Sequence, residues 1–184
     1  MSSVLPQRFE ETNKNLVTLI NLPKILIVYQ TSYGSTFQYA KWINEFFTDA
    51  DLFQLNDFDQ SSICNYDIVI IGGSTKRGRL TTESFIKKHA KILESKYVFV
   101  FATGIIPWKG KYRKDAYLRI PLHIRSSIQY IKLPGRVDPD KLTLLDKVYL
   151  MFNGIYEYDQ MDKQFVKPII NYVHSIRDQH SKKD

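Results

Sequence analysis

An α/β fold, an open doubly wound sheet of parallel strands with helices on both faces, is the class this sequence predicts. Three observations carry the prediction. Short apolar runs alternate with amphipathic segments, the pattern of parallel strands joined by crossover helices, and right-handed crossovers place those helices on both faces. The first run, residues 24–29, is apolar from Ile25 onward, as a strand buried on both faces requires. It stops abruptly in Thr31-Ser32-Tyr33-Gly34-Ser35-Thr36, a loop crowded with hydroxyls around one glycine, and an amphipathic segment follows at once.

The elements follow in order. Residues 1–23 form an N-terminal arm, polar and charged over 8–14, with Pro23 separating it from the first strand; residues 24–180 form a single domain. In the first helix, 37–47, Phe37, Ala40, Trp42, Ile43, Phe46 and Phe47 give a broad apolar side. Residues 51–55 are a short second strand, 56–65 a polar loop, and 66–71 a third strand ending at Gly72-Gly73. A loop over 72–79 then leads into a helix over 80–93, and 97–103 is the fourth strand. Residues 115–124 are amphipathic and interrupted by Pro121, 127–132 read as a fifth strand, and 133–138 as a turn. Residues 141–152 are a strongly apolar helix that packs on the sheet edge or forms a homodimer contact; the alternative is that the insertion is a substrate or membrane-surface platform. The last helix takes its spacing from Phe165, Ile169, Ile170, Val173 and Ile176, with Pro168 near its start. An insertion around 109–152 is the most individual part of the domain.

In an open parallel sheet the site lies outside the C-terminal strand ends, where the loops over 30–36, 72–79 and 103–112 converge. The first loop and the helix behind it direct N–H groups at one spot, and the helix dipole favours negative charge there. Thr31, Ser32, Ser35 and Thr36 add hydroxyls, and no Lys or Arg lies between Gln30 and Thr36. Neutral donors suit a monophosphate held permanently better than a triphosphate being hydrolysed. The Walker pattern and the G-x-G-x-x-G dinucleotide fingerprint are both absent. The alternative is a Ser/Thr-rich turn that merely caps the helix, with Ser35 or Thr36 as N-cap.

The run Thr31 to Thr36 resembles the flavodoxin phosphate loop, with Tyr33 standing where many flavodoxins have threonine. Ile71-Gly72-Gly73-Ser74-Thr75-Lys76-Arg77-Gly78, and later Gly135-Arg136-Val137 with Leu145-Asp146-Lys147, are similar to a subset of that family which includes the menaquinone-dependent protoporphyrinogen dehydrogenases. The resemblance covers roughly residues 24–176. It implies a flavodoxin-like five-stranded sheet of order 2-1-3-4-5 and FMN as cofactor. It also implies that Thr31 to Thr36 hold the phosphate, while Gly73, Ser74, Thr75, Lys76, Arg77, Gly78, Thr103 and Gly104 border the rest of the cofactor. Lys76, Arg77 or Arg79 would stabilise the reduced anion, and Trp108 is the first choice for stacking on the ring. By the same resemblance the donor is a porphyrinogen and the acceptor a quinone.

Composition bounds the rest. With 43% hydrophobic and 14% aromatic residues the chain is globular and long enough for one proper core. No apolar run approaches the roughly 20 residues that cross a bilayer, and the charged start has no leader-like core, so a cytoplasmic placement is expected. The lone Cys64 excludes an internal disulfide and a multi-cysteine metal site, and reads as a small packing residue. No metal ligands and no catalytic acid or base stand out; His89, His123, His174 and His180 are assigned no chemistry. The formal charge of +7 is concentrated in residues 76–147, with seventeen Lys/Arg against six Asp/Glu. Such a field draws an anionic ligand, an acidic partner, nucleic acid or an anionic membrane surface peripheral to the inner face. No nucleic-acid recognition motif accompanies it. Two other functions stay open at this point: an electron-transfer flavodoxin with no substrate of its own, and a binding module that has lost the flavin. The basic surplus speaks against the first, since flavodoxins are typically acidic.

Overall fold

In the computed structural model, residues 22–76, 78–105, 115–138, 140, 142–152 and 159–182 are described. Five parallel strands build the sheet: β1 (Ile25–Gln30), β2 (Asp51–Gln54), β3 (Ile68–Lys76), β5 (Tyr97–Gly104) and β6 (Ile128–Pro134). Their order is β2-β1-β3-β5-β6, the expected 2-1-3-4-5 of the parallel strands, and the short β4 (Arg79–Leu80) pairs antiparallel with the end of β3.

Side-chain alternation explains why the strands read as continuous apolar runs. Leu26, Val28, Val69, Ile71, Val98 and Val100 face one side, with Phe85, Ile86, Leu93, Ala116 and Ile124. Ile25, Ile27, Ile68, Ile70, Phe99 and Phe101 face the other, with Tyr39, Ile43, Phe47, Ile169 and Val173. Both faces are therefore covered, as a parallel sheet requires. The first side is covered by α2 (Glu83–Lys88), α3 (Ala90–Leu93), α4 (Asp115–Leu118) and α5 (Leu122–Arg125). The second is covered by α1 (Ser35–Asn44) and α7 (Lys167–Ser181), with Pro168 in the first turn of α7. A further helix, α6 (Leu144–Phe152), follows β6.

Several local expectations are corrected. The loop over 56–65 contains a 3-10 helix, Gln60–Asn65, capped by the Asp59 carboxylate accepting from the Ser61 N–H at 3.0 Å. Cys64 lies in it and is exposed, not packed. The helix expected over 80–93 is two short helices divided at His89, whose backbone (φ −104°, ψ 14°) leaves the helical region. Pro121 likewise separates α4 from α5. The first helix ends at Asn44, and of its expected apolar side Ala40, Ile43 and Phe47 are buried while Phe37 and Phe46 are exposed.

The largest correction concerns Gly72-Gly73. The pair does not end the third strand; β3 runs through it to Lys76, because β5 offers a pairing partner at each position: Gly72↔Phe101, Gly73↔Ala102 and Ser74↔Thr103. Most of the expected loop over 72–79 is therefore a strand extension and a hairpin. At the opposite end, the Tyr66 hydroxyl donates to the Asp51 carboxylate at 2.8 Å, and burial together with that carboxylate pushes the phenol up to about 12.

Candidate functional site

The C-terminal ends of β1, β3 and β5 are tied together by hydroxyls. Thr36 Oγ1 lies 2.9 Å from Ser74 Oγ and 2.8 Å from Thr103 Oγ1, so one threonine of α1 bridges β3 and β5. Ser32 N–H donates to Ser74 Oγ at 3.1 Å, and Thr75 Oγ1 donates to the Thr103 carbonyl at 2.7 Å. Thr81 completes the frame, accepting from Ser74 N–H and donating to the Gln30 carbonyl, both at 3.0 Å. Within the first loop, Gly34 N–H donates to Thr31 Oγ1 at 2.9 Å. Gly34 itself sits at φ 90°, a left-handed conformation that glycine adopts without penalty.

Gly34, not Ser35 or Thr36, is the N-cap of α1, and no side chain caps that helix end. This removes the capping explanation for the hydroxyl-rich run. The first-turn N–H groups of α1 are left to an outside acceptor, and the dipole favours an anionic one.

A cavity of about 460 Å³ opens beside the loop, a volume proper to small-molecule sites. Ser32, Tyr33, Ser35, Ser74, Thr75 and Thr103 give it a hydroxyl-lined part. Val137, Leu142, Leu145 and Leu150 give it an apolar wall. Three cationic residues, Lys76, Lys132 and Arg136, line it as well, and among the described residues no carboxylate does. The Lys76 ammonium lies 4.8 Å from the centre of the Tyr33 ring, a cation–π distance.

The flavodoxin domain profile matches residues 26–169, well over half of the chain. The chain belongs to the flavodoxin-domain family. No curated relative matches it by sequence. Among solved structures it is similar to oxidised Flavodoxin 2 from Bacillus cereus, at 21% identity over 71% of this chain and 98% of that one, with a TM-score of 0.50. A flavodoxin from the domain Archaea matches at 17% identity over 64% and 87%, and the Streptococcus pneumonia TIGR4 flavodoxin at 18% over 64% and 88%, each with a TM-score of 0.50. At these identities the likeness is one of fold.

Within this flavodoxin domain the residues singled out from the sequence fall into distinct groups. Ser32, Tyr33, Ser35, Ser74, Thr75, Lys76, Gly78, Thr103 and Gly104 line the cavity. Thr31 and Gly34 shape the loop from behind through their own hydrogen bond. Thr36 has no exposed surface and turns its hydroxyl inward, so it positions the loops. Gly73 is buried, and a Cβ there would lie 2.6 Å from Leu80 Cδ1 and 2.7 Å from Thr82 Oγ1, which makes it a packing position. Arg77 and Trp108 lie outside the described residues.

The segment after β6 is the part of the site that sequence reasoning missed. Lys132, Arg136, Val137 and Leu142 were not singled out as site residues, although Gly135-Arg136-Val137 is one of the runs that carry the family resemblance. The sequence predicts α6 as edge packing or a dimer contact; Leu145 and Leu150 also line the cavity, and Leu144, Leu145 and Phe152 are 78%, 70% and 83% exposed. None of the four histidines lines the cavity: His89 Nε2 is 2.9 Å from Gln60 Oε1, and His174 packs on Phe47. Among the described residues, no group of three or more His, Cys, Asp or Glu is placed to hold a metal, and no helix is long and apolar enough to cross a membrane.

Proposed function

We propose that this flavodoxin-domain protein binds FMN in the cavity and passes electrons from a porphyrinogen-like donor to a quinone. The observation that supports the reading best is the cavity's make-up: hydroxyls and an uncapped helix end on one side, three cationic residues, and an apolar wall from the segment after β6. The donor set fits the cofactor. Ser32, Ser35 and the first turn of α1 offer neutral donors to a phosphate, and Ser74, Thr75, Thr103 and Gly104 border the space beyond. FMN, when bound, supplies the two-electron chemistry. The chain's part is to hold it and set the local charge. Lys76 and Lys132, with Arg77 nearby in sequence, lower the energy of negative charge that builds up on reduction. Trp108 is assigned the stacking role. The apolar wall of Val137, Leu142 and Leu145 gives a flat apolar substrate a surface to lie on, which a simple electron carrier does not need.

After reconstitution with FMN and desalting, the protein is expected to keep flavin absorbance at near-stoichiometric amount. Anaerobic addition of a porphyrinogen should bleach it, and a quinone should restore it. A colourless protein overturns the cofactor reading. Retained flavin that responds to neither reagent overturns the donor and acceptor and leaves an electron carrier.

The same reading gives the insertion a surface partner, an anionic membrane. Leu144, Leu145, Met151 and Phe152 are exposed on α6, and Lys109, Lys111 and Arg113 lie in the same basic stretch of sequence. Cations meeting headgroups while an apolar helix face meets acyl chains is a recognised mode of peripheral binding. Co-sedimentation with anionic vesicles is expected, and both raised salt and the triple change K109E/K111E/R113E should weaken it. Equal binding by parent and triple variant sinks this partner.

A further inference from the structure

We infer that Arg136 is a phosphate clamp, a cation brought to the neutral loop from the far side of the sheet, which makes this chain select a phosphorylated flavin over an unphosphorylated one. The inference rests on the FMN reading above and adds a residue that the phosphate loop does not contain.

The argument begins with where the chain goes after β6. The Tyr39 hydroxyl, from α1, donates to the Pro134 carbonyl at 2.9 Å and holds the strand end beside the first helix. Gly135 N–H then donates to the Gly104 carbonyl at 3.0 Å. A Cβ at position 135 would stand 3.3 Å from Ser35 Oγ, so the backbone passes close over the phosphate loop. Arg136 N–H donates to that same Ser35 Oγ at 3.1 Å. Ser35 is the first residue of α1, the end at which the loop and helix dipole favour an anion. The backbone of Arg136 is thus fixed to the edge of the anion site, and the residue lines the same cavity as Ser32 and Ser35.

The second observation concerns the side chain itself. Its Nε is buried without a hydrogen-bond partner, and among the described residues no carboxylate forms an ion pair with Arg136. Asp159, its bridge partner across the backbone, is exposed, and its carboxylate accepts from Met161 N–H at 3.0 Å. The residue as a whole is only partly buried, so a guanidinium with no acid beside it presents its charge to an anionic oxygen of a ligand in the cavity. Arginine is the side chain best matched to phosphate oxygens. Lys76, by contrast, is already set against the Tyr33 ring.

The test compares FMN with riboflavin, which lacks only the phosphate, by quenching of flavin fluorescence on the full chain. The parent is expected to bind FMN more tightly, with a preference that shrinks as salt rises. Arg136→Gln should weaken FMN roughly ten- to a hundredfold, the weight of hydrogen bonds to a charged group, and leave riboflavin affinity unchanged. Arg136→Lys should recover part of the preference. Equal losses for both flavins, or an unchanged FMN-to-riboflavin ratio in Arg136→Gln, overturn the clamp alone. A parent that binds neither flavin overturns the FMN reading and the clamp with it.

Discussion

Replacing Gly72 by valine is expected to lower stability by about 3 kcal/mol or more, the upper end of what overpacking costs. Position 72 lies opposite Phe101 in the β3–β5 register, at the centre of the sheet. A Cβ there would stand 2.3 Å from Phe101 Cζ, and the ring has no exposed surface. Phe101 cannot swing aside, because it is packed in the same cluster as Ile27, Ile70, Tyr39 and Leu133. Equilibrium denaturation should show a lower midpoint with an unchanged slope. Shortening the ring should relieve the clash, so Gly72→Val combined with Phe101→Leu should lose less than the two single changes added together. An unshifted midpoint for Gly72→Val would show that the strand does not pair through this glycine. The result also separates two reasons for having glycine beside a flavin site. The sequence places Gly72 in the loop that ends the third strand, whereas its geometry makes it room for a neighbouring phenylalanine.

That difference shows what kind of information the sequence carries. The apolar run ending in Thr31-Ser32-Tyr33-Gly34 is legible because one short segment contains both the buried strand and the loop that must follow it. The alternation of strands and helices is legible for the same reason, since each crossover is local, while the order of the parallel strands comes with the family resemblance. A Gly-Gly pair reads locally as a turn. What makes it a strand is the edge of β5 some thirty residues away, and nothing near Gly72 announces that. Hydroxyl direction is hidden in the same way. Six residues from Thr31 to Thr36 look equivalent as phosphate contacts, yet Thr36 turns inward to Ser74 and Thr103 while Ser32 and Ser35 line the cavity. The role of Arg136 depends on a contact with Ser35 across 101 positions of sequence. The apolar helix at the end of the insertion could be recognised as apolar, but that Leu145 and Leu150 meet the cavity is decided by the path from β6.

The phosphate loop therefore calls for two substitutions that act by different routes. Gly34→Val should abolish FMN retention after desalting while the far-ultraviolet signature of the fold survives. At φ 90° a β-branched residue is strained, and nothing lies within 4 Å of the added Cβ, so the penalty is conformational and falls on the loop. The loop relaxes to a negative φ, the N–H groups before α1 turn away from their common focus, and the strands beneath keep their pairing. Thr36→Val acts from inside. It keeps the side-chain shape, removes the hydroxyl shared by Ser74 and Thr103, and should cost about 1 kcal/mol of stability per hydrogen bond lost. Flavin binding should weaken with it, because the three strand-end loops lose their common tie. A charged residue at 36 would be a poor test, since the site is fully buried and an unpaired carboxylate there would threaten the fold itself. Full FMN retention in Gly34→Val would mean that the phosphate does not sit at this loop. Loss of retention in Gly34→Val, with a weakened but measurable affinity in Thr36→Val, would assign the loop backbone to the phosphate and the buried hydroxyl to holding that backbone in place.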